Sequence, residues 1–259
     1  MIVEKYQSDG RKILNTKVQH EVIVYNTYAF PLCIICADES KSEWIYEHFS
    51  QIMFSRSEDG YAGIDFLEDT NYADVMVRQV TAFEQMKNVE DIVTFLKQKI
   101  NEEWQPILVV DFDCLKEKRV PPYPHFLIQI YLYGYDDLNK EFHGIGFKAD
   151  HSFDEIRFGY EEVREAFTSM LRYNKHDIDW VDRYTLTCLK LKNPGEKYVC
   201  SREIMRQGLY DFCYSVDGKD RIRIEDRTET RLATATFGLK AQESVIEALH
   251  ELLEGKFVI

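Results

Sequence analysis

The stretch HFLIQIYLYGYDD, residues 125–137, is followed at once by a polar turn and a second apolar segment. Leu127–Tyr133 is short and rich in aliphatic and aromatic residues, which is typical of a β-strand. Asp136–Lys140 supplies the turn, because aspartate and asparagine side chains bond their own backbone there. Glu141–Phe147 has strand composition again. Residues 126–147 are therefore predicted to form a β-hairpin, or two neighbours of an antiparallel sheet.

Helical periodicity surrounds these strands and sets the fold class. The other predicted elements are strands over Ile107–Phe112 and Tyr184–Leu191, and helices over Glu43–Met53, Val89–Ile100, Tyr160–Leu171, Ser201–Tyr214 and Ala241–Leu253. Helices and strands are segregated and show no regular βαβ alternation, which favours an α+β fold. Asn193–Glu196 is a turn signal, and it predicts a main domain over residues 1–192 and a helical extension over 193–259.

Composition narrows the classes of partner. The 259 residues are 45% hydrophobic, which is enough for a packed core, and they carry a net charge of −13. That charge favours neither a nucleic acid nor an anionic membrane as the partner. Tyr28–Ala37, the longest nearly apolar run, contains Pro31 and has about half of the ~20 residues that a membrane span needs. We expect a protein that binds neither nucleic acid nor membrane.

The N-terminus and the cysteines bear on the compartment. MIVEKYQSDGRK, residues 1–12, has no apolar segment behind its charges, so we expect no export by a signal peptide and a cytoplasmic location. Six cysteines are then expected to be thiols, most of them buried as small hydrophobic side chains. Cys33 and Cys36 form a Cys-x-x-Cys pair, but no second pair or histidine partner completes a metal or redox site. No metal and no cofactor is predicted.

Four segments along the chain form one pattern: ILVVDFD (107–113), HFLIQIYLYGYDD (125–137), EFHGIGF (141–147) and FGYEEVREAF (158–167). Together they resemble the papain-like domain of the butirosin-biosynthesis type, which is related to bacteriocin-processing cysteine peptidases. EWIYEHFSQI, residues 43–52, is similar to a helix of family members from peptide natural-product clusters. FGLKAQESVIEAL, from Phe237, is similar to a glycine-centred helix start in longer members. The resemblance covers most of residues 25–190.

The resemblance implies a papain-like fold and acyl transfer or amide cleavage by a cysteine. In that chemistry a thiolate at a helix N-terminus attacks a thioester or amide, and a histidine on a strand moves the proton. Butirosin-type members imply transfer of an acyl group from a carrier-protein thioester to an amine, in natural-product biosynthesis. The phosphopantetheine arm of an acyl or peptidyl carrier protein would then arrive as part of the substrate.

The three catalytic positions of the family are vacant in this chain. The nucleophile is expected near Val24–Tyr28, where VYNTY contains no cysteine, and Ile128 occupies the place of the histidine. The orienting carboxylate is expected near Gly146, and EFHGIGF supplies none there. Because isoleucine can neither accept nor donate a proton, the family dyad is chemically impossible here.

Two interpretations follow from these vacancies. The loss of all three groups favours a pseudoenzyme that binds a carrier-linked acyl group, a precursor peptide or an active homologous chain. The alternative is an active acyl- or amide-transferring enzyme with a displaced catalytic set. Under either interpretation, the residues expected to contact the substrate are Tyr25, Tyr28, Ile128 and Tyr131. Ile128 is expected to face the helix near Tyr25–Tyr28.

The displaced set has four candidate members. His125 lies an odd number of residues before Ile128, so an unbroken strand would point it to the opposite face, unless a bulge or the strand's start turns it back. His143 lies on the neighbouring strand, which can bring it within contact distance. Cys33 and Cys36 follow the expected nucleophile position by about two helical turns.

Aromatic residues offer a further candidate surface on the motif strand. Tyr131, Tyr133 and Tyr135 recur at period two, which predicts that they share one face of the sheet. Such a row can form an aromatic wall for a ligand, although core packing accounts for the same pattern.

Overall fold

The computed structural model describes residues 10–57, 62–67, 72–116, 125–173, 178–217 and 232–256. In these ranges α-helices are mixed with strands that pair antiparallel throughout. The α+β prediction is confirmed at this level. The chain divides into two compact units: unit 1 comprises Met1–Asp38 and Ala73–Asn193, and unit 2 comprises Glu39–Tyr72 and Pro194–Ile259.

The strands are β1 (Arg11–Ile13), β2 (Ile52–Ser57), β3 (Ala62–Phe66), β4 (Met76–Thr81), β5 (Gln105–Asp111), β6 (Leu127–Asp136), β7 (Glu141–Phe147), β8 (Phe153–Gly159), β9 (Leu186–Leu191) and β10 (Leu232–Phe237). The helices are α1 (Asn26–Ile35), α2 (Ser42–His48), α3 (Phe83–Met86), α4 (Ile92–Asn101), α5 (Tyr160–Tyr173), α6 (Asp179–Arg183), α7 (Arg202–Tyr214) and α8 (Gly238–Leu253). Short 3-10 turns cover Glu39–Lys41 and Phe112–Cys114.

The sheet of unit 1 has seven strands in the order β4-β9-β5-β6-β7-β8, with β1 paired to the far end of β6. β5 pairs with the first half of β6 and β1 with the second half, so β6 is the longest strand and lies at the centre of the unit. The predicted β6–β7 hairpin is antiparallel as expected. A bulge in the β6–β7 ladder between Leu132 and Gly134 changes which side chains share a face beyond that point.

Helices cover both faces of this sheet. Ile130 and Leu132 belong to the large apolar core that contains the inner sides of α4 and α5. Tyr131, between them, points the other way and packs on Phe30 of α1, with ring centroids 5.6 Å apart. Unit 1 is therefore a sheet buried between α1 on one side and α4 with α5 on the other.

Helix α1 is apolar on all sides, and every residue from Tyr28 to Ile35 is buried. A helix of this kind shows no amphipathic period, because all its faces meet protein. Pro31 lies inside it and cannot donate a backbone hydrogen bond. These two features explain why periodicity in the sequence did not reveal the helix.

Unit 2 differs from the predicted helical extension. It contains an antiparallel sheet in the order β10-β2-β3, and its core is formed by Met53, Leu67 and Phe237. The helix predicted over Glu43–Met53 ends at His48, because Ile52–Ser57 pairs with β10 and β3 as a strand. Residues 39–72 were assigned to the main domain, whereas they pack with the C-terminal segment. A strand partner far away in sequence leaves no local signal.

Candidate functional site

A hydrogen-bonded pair of His125 and Asp111 lies where β5 ends and β6 begins. The His125 Nδ1 atom is 2.8 Å from Asp111 Oδ2. Asp111 is completely buried, whereas the histidine side chain is 36% exposed. An ionised carboxylate can only accept hydrogen bonds, so Nδ1 carries the proton and Nε2 is left as the basic nitrogen. This arrangement orients an imidazole for proton transfer.

Asp111 is held as a carboxylate by three donors. The Ser169 hydroxyl donates to Oδ2 at 2.6 Å, the backbone N–H of Asp113 donates to Oδ1 at 3.0 Å, and His125 supplies the third bond. Burial raises the pKa of Asp111, but the hydrogen bonds from Ser169 and His125 outweigh burial and lower it overall. A buried carboxylate is therefore available to fix the imidazole at neutral pH.

The backbone at His125 places the ring in this position. His125 has φ of 60°, in the left-handed region, and β6 begins only at Leu127. The alternation of strand side chains therefore does not reach His125, and its odd offset from Ile128 does not determine its direction. The Phe112 backbone N–H donates to the Phe126 carbonyl at 2.8 Å, which ties the two segments together. The imidazole also stacks on Tyr173, with ring centroids 3.4 Å apart.

Cys114 lies in the same 3-10 turn as Phe112 and is half-buried. Burial raises the pKa of its thiol, the hydrogen bond with Ser169 lowers it, and the nearby charge of Asp111 raises it further, so the pKa is raised overall. Hydrogen bonds link the thiol to Ser169, Ser169 to Asp111, and Asp111 to His125. At rest it is a protonated thiol and not a thiolate.

A small apolar cleft of about 20 Å³ lies where β6 and β7 part, next to the turn that follows Asp111. The β6–β7 ladder starts at Tyr131 and Ile145, whereas β6 continues back to Leu127 along β5 and β7 continues to Phe147 along β8. The two strands therefore separate over their remaining residues. The space between them is lined by Phe30, Phe112, Leu115, Ile128, Gln129, Ile130, Ile145, Gly146, Phe147, Ile156 and Phe158.

Two residues that the resemblance singled out lie around this cleft. Ile128 and Gly146 line it, and the Asn26 side chain at the start of α1 donates to the Gln129 carbonyl at 3.5 Å. Ile128 was expected to face Tyr25–Tyr28, but it packs against the core beneath α5. Gln129 is the residue that meets the start of α1.

The tyrosines predicted to contact a substrate are placed differently from one another. Tyr131 is fully buried, and its hydroxyl bonds to Thr16 at 2.7 Å and also to Gln105. Tyr28 is buried, while Tyr25 is 43% exposed, and their ring centroids are 6.2 Å apart. None of the three tyrosines is among the described residues that line the cleft.

The row of tyrosines on the motif strand is also broken. Tyr135 turns to α4, where its hydroxyl donates to the Asn101 side chain at 2.9 Å, whereas Tyr131 packs on α1. The bulge between Leu132 and Gly134 causes this change of face. The expected common face for Tyr131, Tyr133 and Tyr135 is therefore wrong.

Cys33 and Cys36 are poor nucleophiles in this environment. Burial raises the pKa of Cys33 to about 12. Burial and the charge of Glu21 raise the pKa of Cys36 to about 11. Thiols with such pKa values are protonated at neutral pH. Among the described residues, no contact joins either cysteine to His125, so these candidates do not form one site.

His143 lies far from His125. It pairs with Gly134, seven residues beyond Leu127, which places it about 23 Å along the strand at about 3.3 Å per residue. The expected contact between the two histidines is therefore wrong. His143 is 4% exposed, and within the part of the chain that the structure describes its Nε2 has no hydrogen-bond partner. Burial, together with the positive charge of Arg157, lowers its pKa to about 4.

Sequence reasoning missed Asp111, Ser169, Cys114 and Tyr173. A signal existed for Asp111, because ILVVDFD places a carboxylate at the end of an apolar strand that is buried throughout. Ser169 and Tyr173 lie on the last two turns of α5, and nothing local in the sequence marks them. Their role depends on where α5 packs.

No family model matches the chain. No curated protein matches it either. Across the described ranges, no helix is long and apolar enough to cross a membrane. No group of three or more histidine, cysteine, aspartate or glutamate side chains in those ranges could hold a metal ion.

Proposed function

We propose that unit 1 is an acyltransferase of papain-like fold that moves an acyl group from a carrier-protein thioester to an amine. The observation that carries the proposal is the 2.8 Å contact between His125 and the buried carboxylate of Asp111. An imidazole that is oriented by a buried carboxylate and part-exposed at its side chain is the usual arrangement of a general base. The sequence motifs of the butirosin type supply the substrate class.

The reaction requires no covalent enzyme intermediate. His125 Nε2 takes a proton from the amine as its nitrogen attacks the thioester carbonyl, and the C–N bond forms. The C–S bond then breaks, and the carrier's phosphopantetheine thiolate leaves with the proton returned by the imidazolium. Asp111 holds the tautomer and stabilises the positive charge on the ring during this step. The products are an amide and a free carrier thiol.

The test is intact-mass spectrometry of an acylated carrier protein incubated with amine acceptors and the full chain. We expect loss of the acyl mass from the carrier and its gain by the amine. His125→Ala should remove turnover, while His20→Ala, which changes an exposed histidine of the same unit, should leave it unchanged. Equal rates with wild-type protein, His125→Ala and buffer alone would refute the proposal.

A second function, binding without turnover, is favoured by the residues at the family's catalytic positions. Val24–Tyr28 contains no cysteine, Ile128 cannot act as a base, and Gly146 supplies no carboxylate. A groove that keeps the shape of an active site can hold a carrier-linked acyl group, a peptide or an active homologous chain. Isothermal titration with the acylated carrier distinguishes the two functions, because this one predicts binding with no mass transfer and no effect of His125→Ala.

A further inference from the structure

We propose that the exposed side of α8 in unit 2 is an interface between two copies of this chain, which pair through antiparallel α8 helices. The proposal does not depend on the function proposed for unit 1. It rests on a stripe of apolar side chains on α8 that are exposed to solvent, and on charged groups beside the stripe. The occupant is a second copy because the stripe and these groups are complementary to themselves.

One side of α8 already packs within its own unit. Ala241 on this side is fully buried, and the Ser244 hydroxyl lies 3.0 Å from that of Thr236 on β10. Arg56 on β2 donates a hydrogen bond to the Glu251 carboxylate at 2.6 Å. A surface helix needs only one apolar side to pack on its domain. The sheet β10-β2-β3 therefore accounts for this side of α8 and for no other.

A second apolar side of α8 faces solvent. Leu239, Ile246 and Leu253 recur every seven residues, and Leu249 lies three residues after Ile246. In chain order, the four side chains are 43%, 55%, 52% and 84% exposed. Residues at these spacings lie on one side of an α-helix, so they form a stripe about 21 Å long. Single exposed leucines are ordinary on a protein surface, whereas an aligned stripe indicates a surface that binds another protein.

The charges of α8 favour a protein partner over a membrane. The helix carries three glutamates, Glu243, Glu247 and Glu251, against one lysine, Lys240, and it contains no arginine. Helices that lie on anionic membranes have lysine and arginine on the polar side. The acidic polar side of α8 would be repelled by such a surface. A partner must therefore cover the apolar stripe without placing negative charge against these glutamates.

A second copy of α8 meets this requirement. When two α8 helices run antiparallel with Ile246 of one copy opposite Leu249 of the other, the two-fold axis repeats the contact. Glu243 and His250 flank the stripe on the same side and are seven residues apart, so Glu243 then lies beside His250 of the second copy. Among the described residues, neither side chain has a partner within its own chain. An imidazole N–H donates to a carboxylate, so the two groups are complementary.

The oligomeric state of the full chain tests the proposal. Light scattering over a concentration series should give twice the 30.7 kDa of one chain, falling to one chain on dilution. Ile246→Glu should raise the dimer dissociation constant by about 30-fold or more, the usual effect of losing a central anchor of an interface. Leu138→Glu, at an 87% exposed residue of unit 1, should leave it unchanged. A chain that is monomeric throughout, or a dimer that Ile246→Glu does not weaken, would overturn the proposal.

A charge exchange tests the identity of the partner and the antiparallel orientation. Glu243→Lys and His250→Glu should each weaken the homodimer by about threefold, because each replaces a complementary pair by two groups that repel. Mixed in equal amounts, the two variants should form heterodimers in excess, because the new lysine faces the new glutamate and the other Glu243–His250 pair is kept. Native mass spectrometry, with one variant labelled with nitrogen-15, separates the three dimers. A statistical mixture of dimers would overturn the proposed pairing.

Discussion

Two histidines lie near opposite ends of β6, one just before its start and one beside it on β7, and their environments differ. At the start of the strand, His125 is part-exposed and bonded to a buried carboxylate. Towards the other end, His143 is buried on β7, no described residue bonds its Nε2, and the positive charge of Arg157 adds to burial in lowering its pKa. The first ring is held by a hydrogen bond to a carboxylate, whereas burial lowers the pKa of the second ring to about 4 and keeps it neutral at pH 7. Burial and partner, not residue type, separate a candidate base from a structural histidine.

The difference also separates what each histidine contributes to the protein. His125 is part-exposed and donates a hydrogen bond to Asp111, so its loss should lower the rate of acyl transfer more than the stability of the fold. His143 fills space next to Tyr133, with ring centroids 6.1 Å apart, so its loss should affect stability and its pH dependence alone. Variants at either histidine, or at the residues that contact it, should therefore have different effects on rate and on stability.

The largest effect is expected from the pair at the start of β6. His125→Ala should lower amide formation by about 10²–10⁴-fold, the usual contribution of a general base. Asp111→Asn should produce a loss of the same order, because an amide donor at this position favours the wrong imidazole tautomer. The rate is measured by intact mass on the acylated carrier. The comparison fails if His143→Phe lowers the rate as much as His125→Ala does.

The next effect concerns the donor that holds Asp111. Ser169→Ala removes the 2.6 Å hydrogen bond to a buried carboxylate, and hydrogen bonds to charged groups contribute about 1.5–3 kcal/mol. Urea denaturation should show a loss of that size, together with a lower rate of acyl transfer. Thr168→Ala, on the exposed side of the same helix, is the matched control. Identical midpoints for the two variants would mean that Ser169 does not support the carboxylate.

The elements could be predicted where their pattern is local. β7 has the predicted bounds because it is a short apolar run that follows a polar turn, and α5 begins at the predicted residue because an amphipathic helix has its own period. α1 was not predicted, since it is buried on every side and contains Pro31. β10 was not predicted either, since its partner β2 lies about 180 residues earlier. A strand whose partner is distant in sequence, and a helix buried on every side, both lack the local hydrophobic pattern that predicts secondary structure.

The site could be predicted only in part for the same reason. His125 was singled out from the motif itself, but its partner Asp111 is brought to it by the pairing of β5 with β6. Ser169 arrives from α5. Side chains alternate between the two faces only within a strand, and β6 begins after His125. Alternation therefore did not predict where the His125 ring points. Tertiary pairing determines which polar groups meet.

The loss of folding stability at acid pH should depend in part on His143. Its pKa is about 4 in the fold and about 6.5 in the unfolded chain, so the unfolded state binds more protons between these values. Stability due to the neutral ring is present above pH 6.5 and is lost as the pH falls towards 4. Linkage gives a loss of about 2 kcal/mol between pH 7.5 and pH 5.

His143→Phe should remove this part of the acid response and leave the neutral-pH stability unchanged or higher, because it also removes the unpartnered Nε2. Urea titrations at the two pH values measure the difference between wild type and variant. Parallel curves for the two proteins would show that His143 does not titrate with a lowered pKa. His125→Phe, at the other end of the strand, provides the comparison.

The smallest effect is expected at Cys114, the thiol closest in the network to His125. Its pKa is raised by burial, and its hydrogen bond runs to Ser169, so the thiol is neither ionised nor in direct contact with the base. Cys114→Ser should therefore keep the rate of acyl transfer within about threefold of wild type, far from the 10²–10⁴-fold cost of losing a group that acts in the reaction. Intact mass of the protein itself should show no acyl adduct during turnover, in wild type or in Cys213→Ser, the exposed control. An acyl adduct mapped to Cys114, together with a lower rate in Cys114→Ser, would show that the reaction proceeds through a covalent acyl-enzyme and not by direct aminolysis. His125 would then serve as the base for a thiol, and the contrast between the two ends of β6 would be larger still.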